Sequence, residues 1–298
     1  MKKIEKENLI GLVGLGLLGN AFAGRILQAG FKLMGFDSDP IKMEKMVHPN
    51  FMQAKFARDV FENCDKVFLC LPDSRIVNHV VNENLDILEK DLIILDATTG
   101  NPCDTTALAV KLSTKGVSYL DTTVSGSSAQ VLNGDGMIMV GGCSEAFERC
   151  RDLIDCLVGK VFHTGVSGSA SKLKLVSNLV LGLNRAALAE GLLLARAFGL
   201  DLNQTLNLLR ESAAYSFIMD TKGEKMVHGD FEPQARLSQH MKDVSLMLDA
   251  ADDMKIKLPF SETHFDLLER GGRLGMGDLD NSAIIKVIAS LNEDNLNQ

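Results

Sequence analysis

The stretch that decides the fold is Leu9-Ile10-Gly11-Leu12-Val13-Gly14-Leu15-Gly16-Leu17-Leu18-Gly19, followed by Asn20-Ala21-Phe22-Ala23-Gly24. Five apolar or small residues read as a buried strand, and the glycines at 14, 16 and 19 interrupt the pattern where a helix then opens. Each glycine has a separate physical task. Gly14 permits a tight turn, Gly16 lets the backbone approach a pyrophosphate, and Gly19 lets the helix pack against the strand. The first turn of that helix, carrying Leu15, Leu17 and Leu18 beside the glycines, would present unsatisfied N–H groups to an anion. The next strand, Lys32–Phe36, ends at Asp37, 21 positions beyond Gly16. A carboxylate there accepts hydrogen bonds from the adenosine ribose hydroxyls of NAD and repels the additional phosphate of NADP, so NAD is expected over NADP.

The same stretch imitates a secretory signal, because Lys2 and Lys3 precede the apolar run and Ala21-Phe22-Ala23 imitates a cleavage site. Glu5 and Glu7 in the basic region and the spaced glycines favour strand–turn–helix instead. Onward from it, short apolar runs at Lys66–Leu71, Leu92–Asp96, Val117–Asp121, Met137–Val140 and Lys160–His163 read as strands. Between them lie helical patterns at Leu18–Ala29, Ile41–Met46, Arg75–Val81, Cys103–Ser113 and Ser144–Leu157. This alternation predicts an α/β, doubly wound, Rossmann-type domain with parallel strands over residues 1–165.

Beyond residue 165 the strand signal stops. A Leu/Ala-rich helix is expected from Ser169 to Phe198, ending at Gly199, about 45 Å long and nearly apolar all round, hence buried on several sides. Lys174, Asn178, Asn184, Arg185, Glu190 and Arg196 make it too polar for a membrane span. Further helices fit Asn203–Ala214, Met241–Met254, Ser261–Gly271 and Ser282–Leu291, so residues 166–298 form an all-α substrate and oligomerisation domain joined through the long helix. One small domain cannot cover such a helix, which predicts a homodimer or homotetramer.

Composition narrows the classes. The chain of 298 residues is 46% hydrophobic and 23% charged, which suits two globular domains and excludes disorder. Lys plus Arg number 31 against 39 Asp plus Glu, a net charge of −8 that leaves no footprint for nucleic acid. No Trp and only 2 Tyr argue against stacking platforms for bases. Six cysteines without a C-x-x-C pair, several in apolar runs, read as free thiols of a cytoplasmic protein, and the scattered histidines give no metal site.

Six motifs in order resemble the β-hydroxyacid dehydrogenase family, which includes 3-hydroxyisobutyrate dehydrogenases and semialdehyde reductases, over essentially the whole chain. They are the glycine stretch, LCLPDSRIV (Leu69–Val77), DATTGNP (Asp96–Pro102), TGVSGSASKLKLVSN (Thr164–Asn178), HMKDVS (His240–Ser245) and GMGDLDNSA (Gly275–Ala283). The resemblance implies that Leu71 and Pro72 form a loop over the cofactor and that Thr99 lies near the nicotinamide. It implies a catalytic lysine in the Thr164–Asn178 segment, with Lys242 of the Lys242-Asp243 pair near the cofactor. Within that segment, Lys172 and Lys174 point about 200° apart on a helix. Only Lys174 has a polar neighbour one turn on, Asn178, so the pair Lys174/Asn178 is the expected catalytic constellation.

Asp121 to Gln130 reads as a substrate loop after a strand, resembling the family's Asp-x-Pro-Val-Ser-Gly-Gly segment. Ser125, Gly126 and Ser127 are expected to hold a substrate carboxylate. Thr123 and Ser127 replace a proline and a glycine of that pattern, and Ala129 and Gln130 follow, which shifts the expected substrate away from the smallest acids. The expected reaction is hydride transfer between NAD(H) and a small β-hydroxy acid, 3-hydroxyisobutyrate-like, or its semialdehyde. Lys174 acts as general acid/base, and the oxidative direction needs its amine neutral, a form that desolvation favours. An NADPH-dependent aldehyde or keto-acid reductase is the alternative, and a non-catalytic dinucleotide-binding protein the second.

Overall fold

The computed structural model describes residues 9–296, so Lys2, Lys3, Glu5 and Glu7 lie outside the described residues. Two compact units divide at Lys174/Leu175.

The first unit carries, among the described residues, an eight-stranded sheet with β1 at Leu9–Val13, β2 at Lys32–Phe36, β3 at Phe51–Gln53 and β4 at Lys66–Leu69. It continues with β5 at Ile93–Asp96, β6 at Ser118–Ser125, β7 at Met137–Gly141 and β8 at Lys160–Gly165. The spatial order is β3-β2-β1-β4-β5-β6-β7-β8. The chain therefore reverses direction across the sheet between β1 and β4, the place where a doubly wound fold opens a crevice at its strand ends. The helices are α1 (Leu17–Gln28), α2 (Pro40–Lys45), α3 (Ala57–Asn63), α4 (Ser74–Glu83), α5 (Pro102–Ser113), α6 (Ser128–Leu132), α7 (Ser144–Arg149) and α8 (Arg151–Asp155).

Alternation along β1 builds both faces. Ile10 and Leu12 join Phe22, Ile26 and Phe68 in one core, while Leu9 and Val13 join Val60, Val67 and Val77 in the other. With both faces covered, the strand is apolar throughout, as its sequence indicated.

Several features depart from the reading of the sequence. The sheet is not wholly parallel, because β7 runs antiparallel to β6 before β8 pairs parallel to β7. The segment Asp121–Gln130 is not one loop: Asp121 to Ser125 extend β6, and Ser127 caps α6. The helical pattern at Ser144–Leu157 is broken at Cys150 into α7 and α8.

The second unit is helical and begins within the first turns of the long helix, at Leu175. The long helix α9 (Ser169–Ala197) is followed by α10 (Leu202–Arg210), α11 (Ile218–His228), α12 (Leu237–Asp253), α13 (Pro259–Arg273), a short 3-10 turn at Asn281–Ala283 and α14 (Ile284–Leu296). Leu175, Leu188, Ala189 and Leu192 of α9 pack with Leu206, Val244, Leu268 and Val287. As expected, α9 is covered around most of its circumference, but Leu173, Val176, Val180 and Leu194 leave one apolar stripe exposed.

Candidate active site

The glycine turn has the shape its spacing requires. Gly14 adopts φ +98° and its N–H donates to the Phe36 carbonyl at 2.8 Å, tying the turn to the end of β2. A Cβ at Gly14 would stand 2.2 Å from the Cys70 carbonyl oxygen, and one at Gly19 1.9 Å from that of Gly14. Both glycines are therefore demanded by the fold itself. Gly16 differs, since a Cβ there would meet nothing within 4 Å. Open space at the N-cap of α1, in front of N–H groups that lack a capping side chain, fits the pyrophosphate of a dinucleotide. Leu15 is buried beneath the turn, Leu17 is exposed and Leu18 packs against the core.

Asp37, whose side chain is 7% exposed, is fixed at the end of β2. It accepts from the Leu15 N–H at 2.7 Å and the Asp39 N–H at 2.9 Å, and the Lys42 ammonium pairs with both its oxygens at 3.2 and 3.3 Å. Lys42 thus neutralises part of the charge that the sequence assigned to cofactor choice.

The Leu71 N–H donates to the Thr98 hydroxyl at 3.1 Å, joining the Leu71-Pro72 segment to the Thr98-Thr99 segment. Buried Asp96 sets this arrangement. Its carboxylate accepts from the Thr98 N–H at 2.9 Å and from the Tyr119 hydroxyl. Burial pushes the Asp96 carboxyl up to about 6, against the lowering effect of Thr98 and Tyr119. The neighbouring Asp121 is also raised by burial, opposed by the N–H groups of Gly168 and Ser171, which donate to it at 2.8 Å each. Asp121 thereby anchors the start of α9, and Thr123 adds a bond to the Ala170 carbonyl at 3.2 Å. Asp96, Thr98 and Tyr119 escaped the reading of the sequence; the only trace was that DATTGNP begins on a carboxylate at a strand end.

At the end of β6, Ser125 is half-buried, and Gly126 is exposed with φ +138°. Ser127 closes a capping box: its N–H donates to Gln130 Oε1 at 2.8 Å and its hydroxyl accepts from the Gln130 N–H at 3.2 Å.

On α9 the two lysines separate as their spacing indicated: Lys172 is exposed, whereas Lys174 is 9% exposed. Asn178, one turn further, is buried, and its amide Nδ2 donates to the Asp243 carboxylate at 2.9 Å. That bond fixes which way the amide points and leaves Oδ1 as its acceptor. Lys242 lies beside Asp243, with its ammonium 3.8 Å from the carboxylate.

A second polar group in the helical unit draws Asp280 from the Gly275–Ala283 motif, but nothing in the sequence paired it with Lys222. Lys222 of α11 and Asp280 pair at 2.8 and 2.9 Å in the interior. Asp280 also accepts from the N–H groups of Gln234, Ala235 and Ser282 and from the Ser282 hydroxyl. Burial alone would raise this carboxyl, but Lys222 and Ser282 hold it down at about 2.

Among the described residues, no group of three or more His, Cys, Asp or Glu is placed to hold a metal ion. What the residues offer is a dinucleotide cradle in the sheet unit and a buried lysine–amide pair on α9.

Comparison with known proteins agrees with this geometry. The model of the NAD binding domain of 6-phosphogluconate dehydrogenase matches residues 9–165. The model described as NAD-binding of NADP-dependent 3-hydroxyisobutyrate dehydrogenase matches residues 168–288. The chain is 30% identical over 288 residues to a 2-(hydroxymethyl)glutarate dehydrogenase of Eubacterium barkeri, covering 95% of this chain and 96% of that protein. It is 29% identical to a 2-hydroxy-3-oxopropionate reductase of Escherichia coli over 94% and 96% of the two chains. A crystal structure of a 3-hydroxyisobutyrate dehydrogenase from Salmonella typhimurium superposes with a TM-score of 0.85 at 25% identity, covering 94% of this chain and 99% of that one. The fold and site define a nicotinamide-dinucleotide-dependent oxidoreductase acting on CH–OH groups. The chain belongs to the β-hydroxyacid dehydrogenase family.

Proposed function

We propose that this enzyme interconverts a small β-hydroxy acid and its semialdehyde, with Lys174 as general acid/base and NAD(H) as cofactor. The observation that carries the reading is the buried Lys174 one turn from an Asn178 whose amide is fixed by Asp243. A bound nicotinamide dinucleotide supplies or accepts the hydride. Gly14, Leu15, Gly16, Leu17, Leu18 and Gly19 hold its pyrophosphate, Asp37 its ribose, and Leu71, Pro72, Thr99 and Lys242 its nicotinamide half. Lys174 protonates the substrate oxygen during reduction and takes the hydroxyl proton during oxidation. Asn178 Oδ1 orients the amine or the substrate hydroxyl. Ser125 and Gly126 bind the carboxylate, and Ser127, engaged with Gln130, sets the turn that presents them.

The experiment is a panel of hydroxy acids and semialdehydes, including 3-hydroxyisobutyrate and 2-(hydroxymethyl)glutarate, assayed with each cofactor and repeated with Lys174→Ala. Turnover that depends on Lys174 supports the proposal. Dinucleotide binding without turnover across the panel favours the non-catalytic alternative.

One observation favours a second reading, an NADPH-linked reductase. Lys42 stands against Asp37 and is positioned to meet a ribose phosphate, and the matching helical-domain model is that of an NADP-dependent enzyme. The ratio of kcat/KM for NADH and NADPH decides between them.

The exposed stripe of Leu173, Val176, Val180 and Leu194 suits a second copy of the chain, which extends the proposal to a homodimer or homotetramer. Free thiols at Cys64, Cys70, Cys103, Cys143, Cys150 and Cys156 suit the cytoplasm. A monomer in gel filtration overturns the assembly.

A further inference from the structure

Two side chains on one face of β6 reach the first turn of α9. Asp121 Oδ1 accepts from the Gly168 N–H at 2.8 Å, and its Oδ2 accepts from the Ser171 N–H at 2.8 Å and the Ser171 hydroxyl at 3.2 Å. Two residues on, the Thr123 hydroxyl donates to the Ala170 carbonyl at 3.2 Å. Asp121, Thr123 and Ser171 are all buried.

A helix ordinarily takes its cap from the side chain of its own N-cap residue. At α9 that route is closed. The Lys172 N–H donates to the Gly168 carbonyl at 3.0 Å, which makes Gly168 the N-cap residue. A side chain cannot be added there, because φ is +89° and a Cβ would stand 2.5 Å from Thr106 Oγ1. Asp121 takes over the task from β6. It serves the N–H of the third helical residue, Ser171, and sets a negative charge at the positive end of the helix. Gly141, its opposite number in β7, leaves room for the arrangement: a Cβ there would stand 2.5 Å from Asp121 Oδ1 and 2.8 Å from Ser169 Oγ.

The turn held in this way is the one that precedes Lys174, since Ser171 and Lys174 are i and i+3 on one stripe of α9. The strand β6 itself ends at Ser125, and alternation puts Ser125 on the same face as Asp121 and Thr123. One strand thus carries the proposed carboxylate grip at its end and the fastening of the lysine's turn along its length. All these residues belong to the first unit, of which Lys174 is the last.

We infer that Asp121 is a positioning residue for the proposed reaction: by capping α9 from β6, it sets where the Lys174 amine stands relative to a substrate carboxylate held at Ser125 and Gly126. The inference rests on the proposed roles of Lys174 and Ser125. Asparagine cannot replace the carboxylate, because it offers one acceptor oxygen and turns an NH₂ toward an N–H. The Ser169 hydroxyl keeps its own bond to the Thr164 hydroxyl at 2.7 Å, so the variant loosens the turn without detaching the segment from the sheet.

The test compares the natural full chain with Asp121→Asn. Reductive methylation with formaldehyde and cyanoborohydride, read by peptide mass spectrometry, reports the exposure of each lysine amine without any substrate. Relative to exposed Lys172, buried Lys174 is expected to label about fivefold faster or more in the variant. Lys222 and Lys225, buried in the helical unit, should keep their rates. In turnover, Asp121→Asn lowers kcat about ten- to hundredfold and leaves NADH affinity within about twofold. In the Lys174→Ala background it lowers kcat no further. If Asp121→Asn does not fold, Thr123→Val combined with Ser171→Ala removes only hydroxyl bonds at the same turn and moves both readouts in the same direction.

A Lys174 labelling rate that stays put overturns the inference, as does a rise shared by Lys222 and Lys225, which marks general loosening. An equal loss of kcat with and without Lys174 overturns it too. A chain inactive on every hydroxy acid overturns the proposed reaction instead, while the labelling still decides whether Asp121 holds Lys174 in place.

Discussion

A Cβ on Gly19 would lie 1.9 Å from the carbonyl oxygen of Gly14, so α1 can start where it does only because residue 19 has no side chain. Gly16, between them, has a compatible backbone at φ −69° and open space where a Cβ would go. Glycine at 14 and 19 serves the fold, whereas the fold makes no such demand at 16, the position the proposed function gives to the pyrophosphate.

Substitution separates the two tasks. Gly19→Ala forces backbone apart and is expected to cost about 3 kcal/mol of stability. Gly16→Ala restricts the unfolded chain without strain, so its melting temperature should hold or rise. Its dinucleotide affinity should fall roughly tenfold or more, because the added methyl meets the pyrophosphate. Calorimetric melting and fluorescence titration with NADH check both. A Gly16→Ala protein that binds NADH normally contradicts the cradle.

Asp37 and Lys42 share the end of β2, and Asp37→Ser removes the charge that repels a ribose phosphate while releasing Lys42 to meet one. The ratio of kcat/KM for NADH over NADPH is expected to fall about a hundredfold. The main-chain N–H groups of Leu15 and Asp39 lose their acceptor as well, which costs roughly 1–3 kcal/mol. An unchanged ratio with reduced stability would mean that Asp37 only supports the turn.

These glycines and Asp37 were legible because their tasks are local: a turn, a helix start and a strand end are each written within a few residues, and one strand–helix–strand unit sets the spacing of 21 from Gly16 to Asp37. The strand β3 was not. Phe51-Met52-Gln53 is three residues long and shows no alternation. Helix α11 was missed for a different reason. Its Asp220, Lys222, Gly223 and Lys225 interrupt any apolar stripe, and no helix was expected there. Yet Lys222 is buried on Asp280, 58 positions away, and Gly223 lets Leu206 approach. Arg185 counted in the sequence only as polarity that argued against a membrane helix. Its burial follows from helices that assemble around it, which no period along α9 encodes. Asn178 was legible as the i+4 neighbour of Lys174, but its partner Asp243 stands 65 positions further on.

The contrast between Lys174 and Lys172 gives an internal control for catalysis. Lys174→Ala is expected to reduce kcat by on the order of 10²–10⁴ while NADH affinity stays within about twofold. Lys172→Ala removes an exposed ammonium on the other side of α9 and should leave turnover within about twofold. Steady-state kinetics with titrated NADH affinity distinguishes them. Equal losses in the two variants would remove the assignment of Lys174.

Stability in acid should report on Asp280. Its carboxyl sits at about 2 in the folded chain, below the ordinary 3.8, because Lys222 and Ser282 favour the ionised form. A depressed carboxyl stabilises the fold above its unfolded pKa, and the gain disappears as pH falls through the folded value. The pair therefore contributes roughly 2 kcal/mol at neutral pH, lost between about pH 4 and pH 2. In Asp280→Asn that dependence is absent, so the difference in unfolding free energy from the natural chain should narrow steadily across this window. Asp280→Ala goes further. It leaves Lys222 charged in the interior and three N–H groups unpaired, for about 3–5 kcal/mol at neutral pH. Urea unfolding at pH 7, 4, 3 and 2.5 measures both. A difference that stays constant from pH 7 to pH 2.5 would show that packing around residue 280, and not its charge, holds the helical unit together.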